Sequence, residues 1–233
     1  MKKSGILTIT ALTALLSGHP ALANVFFTDT FTTGPSTNWS NTSAATYTGG
    51  KAMFSNATRN YIYTTDTDYS KANFVATVQL TNTSGGGGNI YFGMGAGLPD
   101  TNFWDEPRGV DGSYVLLSYA GKVDEWNWIA SAWKNTSPEL LGSSTLPAGT
   151  TITAQMVWNA ASSTATISLD TDNNGTYDYS TSIVNTNMAN VTSRLFVGGQ
   201  SGVYADNFSV VPEPASLALL ALGGLCLLRR RQR

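Results

Sequence analysis

The sharpest chemical motif in this 233-residue chain is Asp170-Thr171-Asp172-Asn173-Asn174-Gly175-Thr176-Tyr177-Asp178. Oxygen-bearing side chains at positions 1, 3, 5 and 9, with glycine at 6, reproduce the opening of an EF-hand-type loop for Ca2+, which takes about 6–8 oxygen ligands. Asp170, Asp172, Asn174 and Asp178 are therefore the candidate metal ligands. The bidentate glutamate expected at position 12 is replaced by Thr181, and the flanks read as strands rather than helices. The same residues also suit a hairpin turn without metal, in which Asn173, Asn174 and Gly175 supply left-handed conformations and the aspartates decorate the rim. Both readings stand at this level.

A second constellation is aromatic. Trp126 and Trp128 are two apart, so on a strand they share a face, and Asp124 lies beside them. Trp104, Asp105, Glu106 and Arg108 follow Gly97-Leu98-Pro99 in a stretch that reads as a loop. Sugar rings offer apolar C–H faces to tryptophan, while carboxylates and guanidinium groups hydrogen-bond their hydroxyls. Trp104, Asp105, Arg108, Asp124, Trp126 and Trp128 are thus candidates for carbohydrate binding. The competing reading of Trp126 and Trp128 is ordinary core.

No catalytic residue is assigned. The single histidine, His19, and the single cysteine, Cys226, lie in terminal segments that read as removable, so the body of the chain lacks imidazole and thiol chemistry. Ser-His-Asp and Cys-His nucleophiles and histidine-ligated zinc are excluded there. A carboxylate pair of the glycosidase kind remains conceivable only between segments, for example Glu106 with Glu125, because adjacent residues on a strand face opposite ways. The Glu-x-Asp-x-x-Glu signature of jelly-roll glucanases is missing, and the domain reads as non-enzymatic.

The elements that must carry these residues read as strands almost throughout. Segments rich in β-branched and aromatic residues recur at 45–54, 60–64, 73–80, 89–94, 114–119, 122–130, 151–158, 164–170, 176–183, 194–197 and 204–211, each bounded by Gly, Pro, Asn, Asp or Ser. Phe74 to Leu80 is moderately apolar on both faces, as in a strand between two packed layers. No amphipathic helix appears within 24–211, and Gly85 to Gly88 reads as a loop because no helix follows it. The fold class this predicts is all-β, a two-sheet antiparallel jelly-roll sandwich in one domain. A short N-terminal signal helix and a short C-terminal apolar helix flank it.

Residues 1–23 read as a secretory signal peptide: Lys2 and Lys3, an apolar run from Ile6 to Leu16, and Ala21-Leu22-Ala23 as the cleavage site, with Ala21 and Ala23 as its small residues. At the other end, Pro212, Glu213 and Pro214 precede an apolar run of 14 residues, Ala215 to Leu228, and a tail with four arginines. As a helix that run spans only about 21 Å, against a hydrocarbon core of about 30 Å. The arginines place the tail in the cytoplasm and the domain across the membrane.

Taking Lys2, Lys3 and the four tail arginines from the thirteen basic residues leaves seven, and taking Glu213 from the fifteen acidic ones leaves fourteen; residues 24–211 thus carry a formal charge of −7. This balance excludes a nucleic-acid binder and favours cations over phosphates.

The Pro-Glu-Pro motif, apolar helix and arginine tail at 212–233 together resemble the PEP-CTERM sorting signal of Gram-negative bacteria. That resemblance implies handling by a membrane-embedded exosortase, cleavage near Pro212 to Pro214, an inner-membrane intermediate, and delivery to the cell surface or the extracellular matrix. Phe26-Phe27-Thr28-Asp29-Thr30-Phe31 and Tyr204-Ala205-Asp206-Asn207-Phe208-Ser209-Val210 resemble the first and last strands of concanavalin A-like and laminin-G-like jelly rolls. The implied role is binding or organising extracellular polysaccharide, with Ca2+ as the one candidate cofactor. The alternatives are a structural surface protein without glycan binding and a jelly-roll glycoside hydrolase.

Overall fold

A computed structural model describes residues 26–55, 60–83, 89–95, 114–120, 124–129, 132–135, 148–186, 188, 192–199 and 202–213. They form two antiparallel sheets. The eight-stranded sheet runs β13(Tyr179–Val184), β12(Thr164–Asp170), β11(Thr151–Asn159), β6(Phe74–Asn82), β15(Val203–Pro212), β4(Lys51–Phe54), β3(Thr46–Thr48), with β1(Phe27–Asp29) also paired to β15. The seven-stranded sheet runs β10(Ala132–Asn135), β9(Asp124–Ile129), β8(Tyr114–Ala120), β7(Asn89–Gly95), β14(Arg194–Gly199), β5(Asn60–Thr64), β2(Trp39–Ser40). The expected all-β two-sheet jelly roll is what forms.

The core lies between the sheets. Phe74, Ala76, Val78 and Leu80 of β6, Ile152, Ala154, Met156 and Trp158 of β11 and Ile167 and Leu169 of β12 face Ile62, Phe92, Met94, Leu195 and Val197 of the other sheet. All are buried, and burying each large apolar side chain contributes about 1.5–3 kcal/mol. The expectation that β6 is sandwiched on both faces is corrected here: Val75, Thr77 and Gln79 are half-buried on the outer side, since only one layer packs on this sheet.

Several boundaries move for local reasons. The segment 45–54 is a hairpin rather than one strand, because Gly49 and Gly50 take φ of +58° and +75° and turn the chain between β3 and β4. The strand expected at 176–183 starts at Tyr179, since residues 171–178 are held as a loop by their own side chains. Trp39–Ser40 and Ala132–Asn135 are strands too short for a periodicity to reveal. In β15 a bulge between Asp206 and Ser209, with Asn207 at φ +49°, turns Phe208 into the core. Pro212 closes β15 opposite Phe74, so the last strand runs one residue into the Pro-Glu-Pro motif. The segment expected as the signal helix, Ala21 and Ala23 within it, the C-terminal apolar run, Pro214 and the glycine run at 85–88 lie outside the described residues.

Candidate functional site

Antiparallel pairing sets two residues opposite each other on the same side of a sheet. In the seven-stranded sheet one cross-strand row reads Ser40, Tyr63, Phe196, Gly93, Leu116, Trp126, Asn135. The next reads Arg194, Gly95, Tyr114, Trp128, Trp133, and a third reads Tyr61, Gly198, Tyr91, Ser118, Asp124. The intervening row holds Ile62, Val197, Phe92, Leu117 and Glu125, and its first three members are core. Positions 124, 126 and 128 therefore belong to the rows facing away from the core, and position 125 to a core-side row. Positions 124 and 125 thus fall in adjacent register rows, which alternate between the two faces of the sheet.

This outer side carries an aromatic set that sequence reading passed over. Tyr61, Tyr63, Tyr91 and Phe196 are buried yet stand outside the intersheet core. Tyr61 packs on Tyr63 and Phe196 with ring centroids 6.1 and 6.2 Å away. The Arg194 guanidinium lies 5.2 Å from the centre of the Tyr63 ring, and one of its N–H groups donates to the Thr64 carbonyl at 2.7 Å. Tyr61-Ile62-Tyr63 and Leu195-Phe196-Val197 are apolar or aromatic at consecutive positions, the sign of strands buried on both faces. Gly198 has its own constraint: a Cβ there would strike the Asn60 carbonyl oxygen and come within 2.7 Å of the Tyr61 Cα. Trp104, Asp105 and Arg108, like Glu106, lie outside the described residues.

The acidic motif joins β12 to β13, and its loop forms the hairpin that sequence allowed. Asn173 and Gly175 take φ of +57° and +87°, while Asn174, the other expected left-handed position, does not. Asp170 is buried at the end of β12, and its two oxygens accept the N–H groups of Asn174 at 3.2 Å and Gly175 at 2.8 Å. Asp172 accepts the Asn174 backbone N–H at 3.1 Å and its side-chain amide at 2.9 Å. Asn173 donates to the Thr151 carbonyl and accepts from Thr153, pinning the loop to β11. Oδ2 of Asp178 accepts both the N–H and the hydroxyl of Thr171, at 2.8 and 2.7 Å, and these bonds hold its carboxyl below the usual carboxylate range. Burial, then the negative charge of Asp170, pushes the Tyr177 hydroxyl above its ordinary value.

One ligand oxygen from each of Asp170, Asp172 and Asp178 lies within 4.8 Å of the others. The donors are all hard oxygens, which suits a calcium-sized cation. The amide oxygen of Asn174 accepts the Thr176 N–H at 2.8 Å, so this side chain braces the loop and keeps one lone pair free.

The fold is similar to the concanavalin A-like jelly roll of legume lectins. Winged bean acidic lectin, solved with methyl-α-D-galactose, aligns with a TM-score of 0.54 at 9% identity, over 79% of this chain and 96% of the lectin. The Bauhinia forficata lectin in complex with GalNAc aligns at 0.51 and 10% identity, over 80% and 99%. A structure described as an endo-acting O-glycanase of the human gut microbiota aligns at 0.53 and 9% identity, over 79% and 98%. Residues 210–232 match the PEP-CTERM protein-sorting motif, which marks proteins exported, held transiently in the membrane and then delivered to the cell surface or extracellular space. No curated protein sequence matches the chain.

Proposed function

We propose that this exported protein binds extracellular polysaccharide on the outer side of its seven-stranded sheet, toward the edge formed by β8, β9 and β10. The observation behind this reading is the pairing register: positions 124, 126 and 128 share cross-strand rows with Tyr91, Gly93 and Gly95 and not with the core residues Phe92 and Met94. Two tryptophan positions and a carboxylate position on a non-core face supply the ring platform and hydrogen-bond acceptor that sugar recognition needs. Tyr61, Tyr63, Tyr91 and Phe196 are buried, so they form the rigid base of this face and not the contact surface. Trp104, Asp105 and Arg108 extend the same site in our reading.

Calcium binds at the hairpin through Asp170, Asp172 and Asp178, with Asn174 as the fourth oxygen donor, and steadies the edge of the eight-stranded sheet. The protein acts by binding and not by hydrolysis. What supports this is that the domain without its C-terminal motif has no histidine or cysteine beyond the secretory signal, and that the adjacent carboxylate positions 124 and 125 fall in alternating register rows.

Affinity electrophoresis through gels containing acidic and neutral bacterial polysaccharides tests the site. Trp126→Ala and Trp128→Ala are expected to abolish retardation that the unmodified protein shows, and Trp104→Ala to weaken it. Unchanged retardation in all three variants overturns the assignment. Release of reducing sugar from the same polymers would favour the hydrolase reading, which the likeness to an O-glycanase keeps in view.

A further inference from the structure

Both ends of the folded domain leave from the same pole of the sandwich. Phe27, at the start of β1, pairs with Val210, and Pro212, at the end of β15, pairs with Phe74. The row continues from Phe74 through Trp158 to Ala165, so the exposed turn at Ala161 and Ser162 shares that pole. The acidic hairpin lies at the other pole. Asp170 pairs with Thr153, which pairs with Gln79 far along β6 from Phe74. From Thr164 to Asp170 the strand advances roughly 20 Å at about 3.4 Å per residue, and the 171–178 loop projects beyond it.

There is almost no linker between the last strand and the hydrophobic segment. The Glu213 N–H still donates to the Asn73 carbonyl at 3.4 Å, and in sequence only Pro214 separates Glu213 from the apolar run that starts at Ala215. Pro212 and Pro214 fix their own φ and restrict Val211 and Glu213 before them, so the connection is stiff as well as short. Between the poles the charges differ. Asp170, Asp172 and Asp178 crowd within 4.8 Å at the far pole, whereas the exit pole carries both signs, Lys71 paired with Asp68, and Arg194, together with Asp66 and Glu213.

We propose that, while the PEP-CTERM segment is in the membrane, the domain stands on the lipid surface by its exit pole and points the Asp170–Asp178 hairpin away from the bilayer. The partner surface is the turn at 160–163 with the Lys71 to Asn73 loop, which abuts the headgroups. The orientation follows from the fold because a stiff connection of two residues leaves no freedom to invert a domain of this height. It also keeps three clustered carboxylates clear of anionic lipid. This inference uses the sorting motif but not the proposed glycan or calcium site.

The test uses the full chain in phosphatidylethanolamine and phosphatidylglycerol vesicles, with Cys226→Ala removing the sole native thiol. Spin labels are attached to Ala161→Cys or Thr176→Cys, both exposed positions, and nickel is chelated on lipid headgroups. Strong nickel-induced relaxation is expected at 161, and relaxation close to that of the nickel-free control at 176. Ten Gly-Ser residues inserted between Glu213 and Pro214 are expected to erase the difference. Equal or reversed relaxation in vesicle-bound protein overturns the orientation while leaving the membrane-held intermediate intact. Failure to sediment with vesicles overturns both.

Discussion

Trp39 donates its indole N–H to Oδ2 of Asp29 at 3.0 Å, and that same oxygen accepts the Ser36 N–H at 2.8 Å. Oδ1 accepts the N–H of Phe31 at 2.7 Å, which holds Phe31 at a positive φ of 52° with its ring in the core. One buried carboxylate thus ties β1, the 31–36 loop and β2, and so joins the two sheets at one edge. The Trp39 ring in turn packs 4.8 Å from Phe208, the residue turned inward by the β15 bulge.

Asp29→Ala removes two buried hydrogen bonds and one part-buried one, and leaves their donors without this acceptor. A loss of roughly 2–4 kcal/mol is expected, since a hydrogen bond to a charged group contributes about 1.5–3 kcal/mol and the loop can partly relax. At about 2–4 °C per kcal/mol for a domain of this size, thermal unfolding followed by near-ultraviolet circular dichroism should show a clear drop in Tm. A Tm within a degree of the parent would show that these bonds contribute nothing.

Calcium at about a hundred times its dissociation constant should stabilise the protein by about 2.7 kcal/mol if it binds only the folded state. Asp172→Asn with Asp178→Asn should remove that increment, read against the variant's own metal-free Tm, because the two carboxylates also accept loop hydrogen bonds from Asn174 and Thr171. Calorimetry without a calcium heat and a Tm indifferent to calcium would eliminate the site.

Asp178 supplies a pH dependence whose sign is fixed. Its folded carboxyl titrates below the ordinary range, owing first to the Thr171 N–H and then to the Thr171 hydroxyl. The stabilisation is therefore present above the unfolded pKa and is lost as pH falls through the lower folded value. Thr171→Val removes only the hydroxyl and should move the titration partway back up, as read by carboxyl-carbon NMR. A titration unmoved by Thr171→Val would mean that the hydroxyl bond has no role.

Gly198→Ala should be more damaging than its single added methyl suggests. The Cβ would collide with the backbone of Asn60 and Tyr61, which cannot swing aside, so β14 and β5 would have to separate. A loss of at least about 1–3 kcal/mol is expected from overpacking alone, with reduced soluble yield and a lower urea midpoint. Gly175→Ala makes a useful contrast, since nothing lies near its Cβ and only its positive φ is strained.

Residue types and spacing alone identified the two end signals, the missing imidazole and thiol chemistry, the strand-rich body and the oxygen-rich loop, because each is a local property of the chain. Alternation at two-residue spacing also established that Trp126 and Trp128 share a face. It could not say which face, because that parity is fixed by the neighbouring strands: Tyr114 and Leu116 on one side, Trp133 and Asn135 on the other. The outer aromatic set stayed hidden for the same reason, since Tyr63 and Phe196 are 133 residues apart and meet only as paired residues of β5 and β14. The role of Asp29 depended on Trp39 coming back to it, and the opposition of the chain ends to the acidic hairpin depended on strand order. Sequence determined which groups are available; the sheets decided which of them meet, because hydrogen-bond register acts between segments and leaves little trace within any one of them.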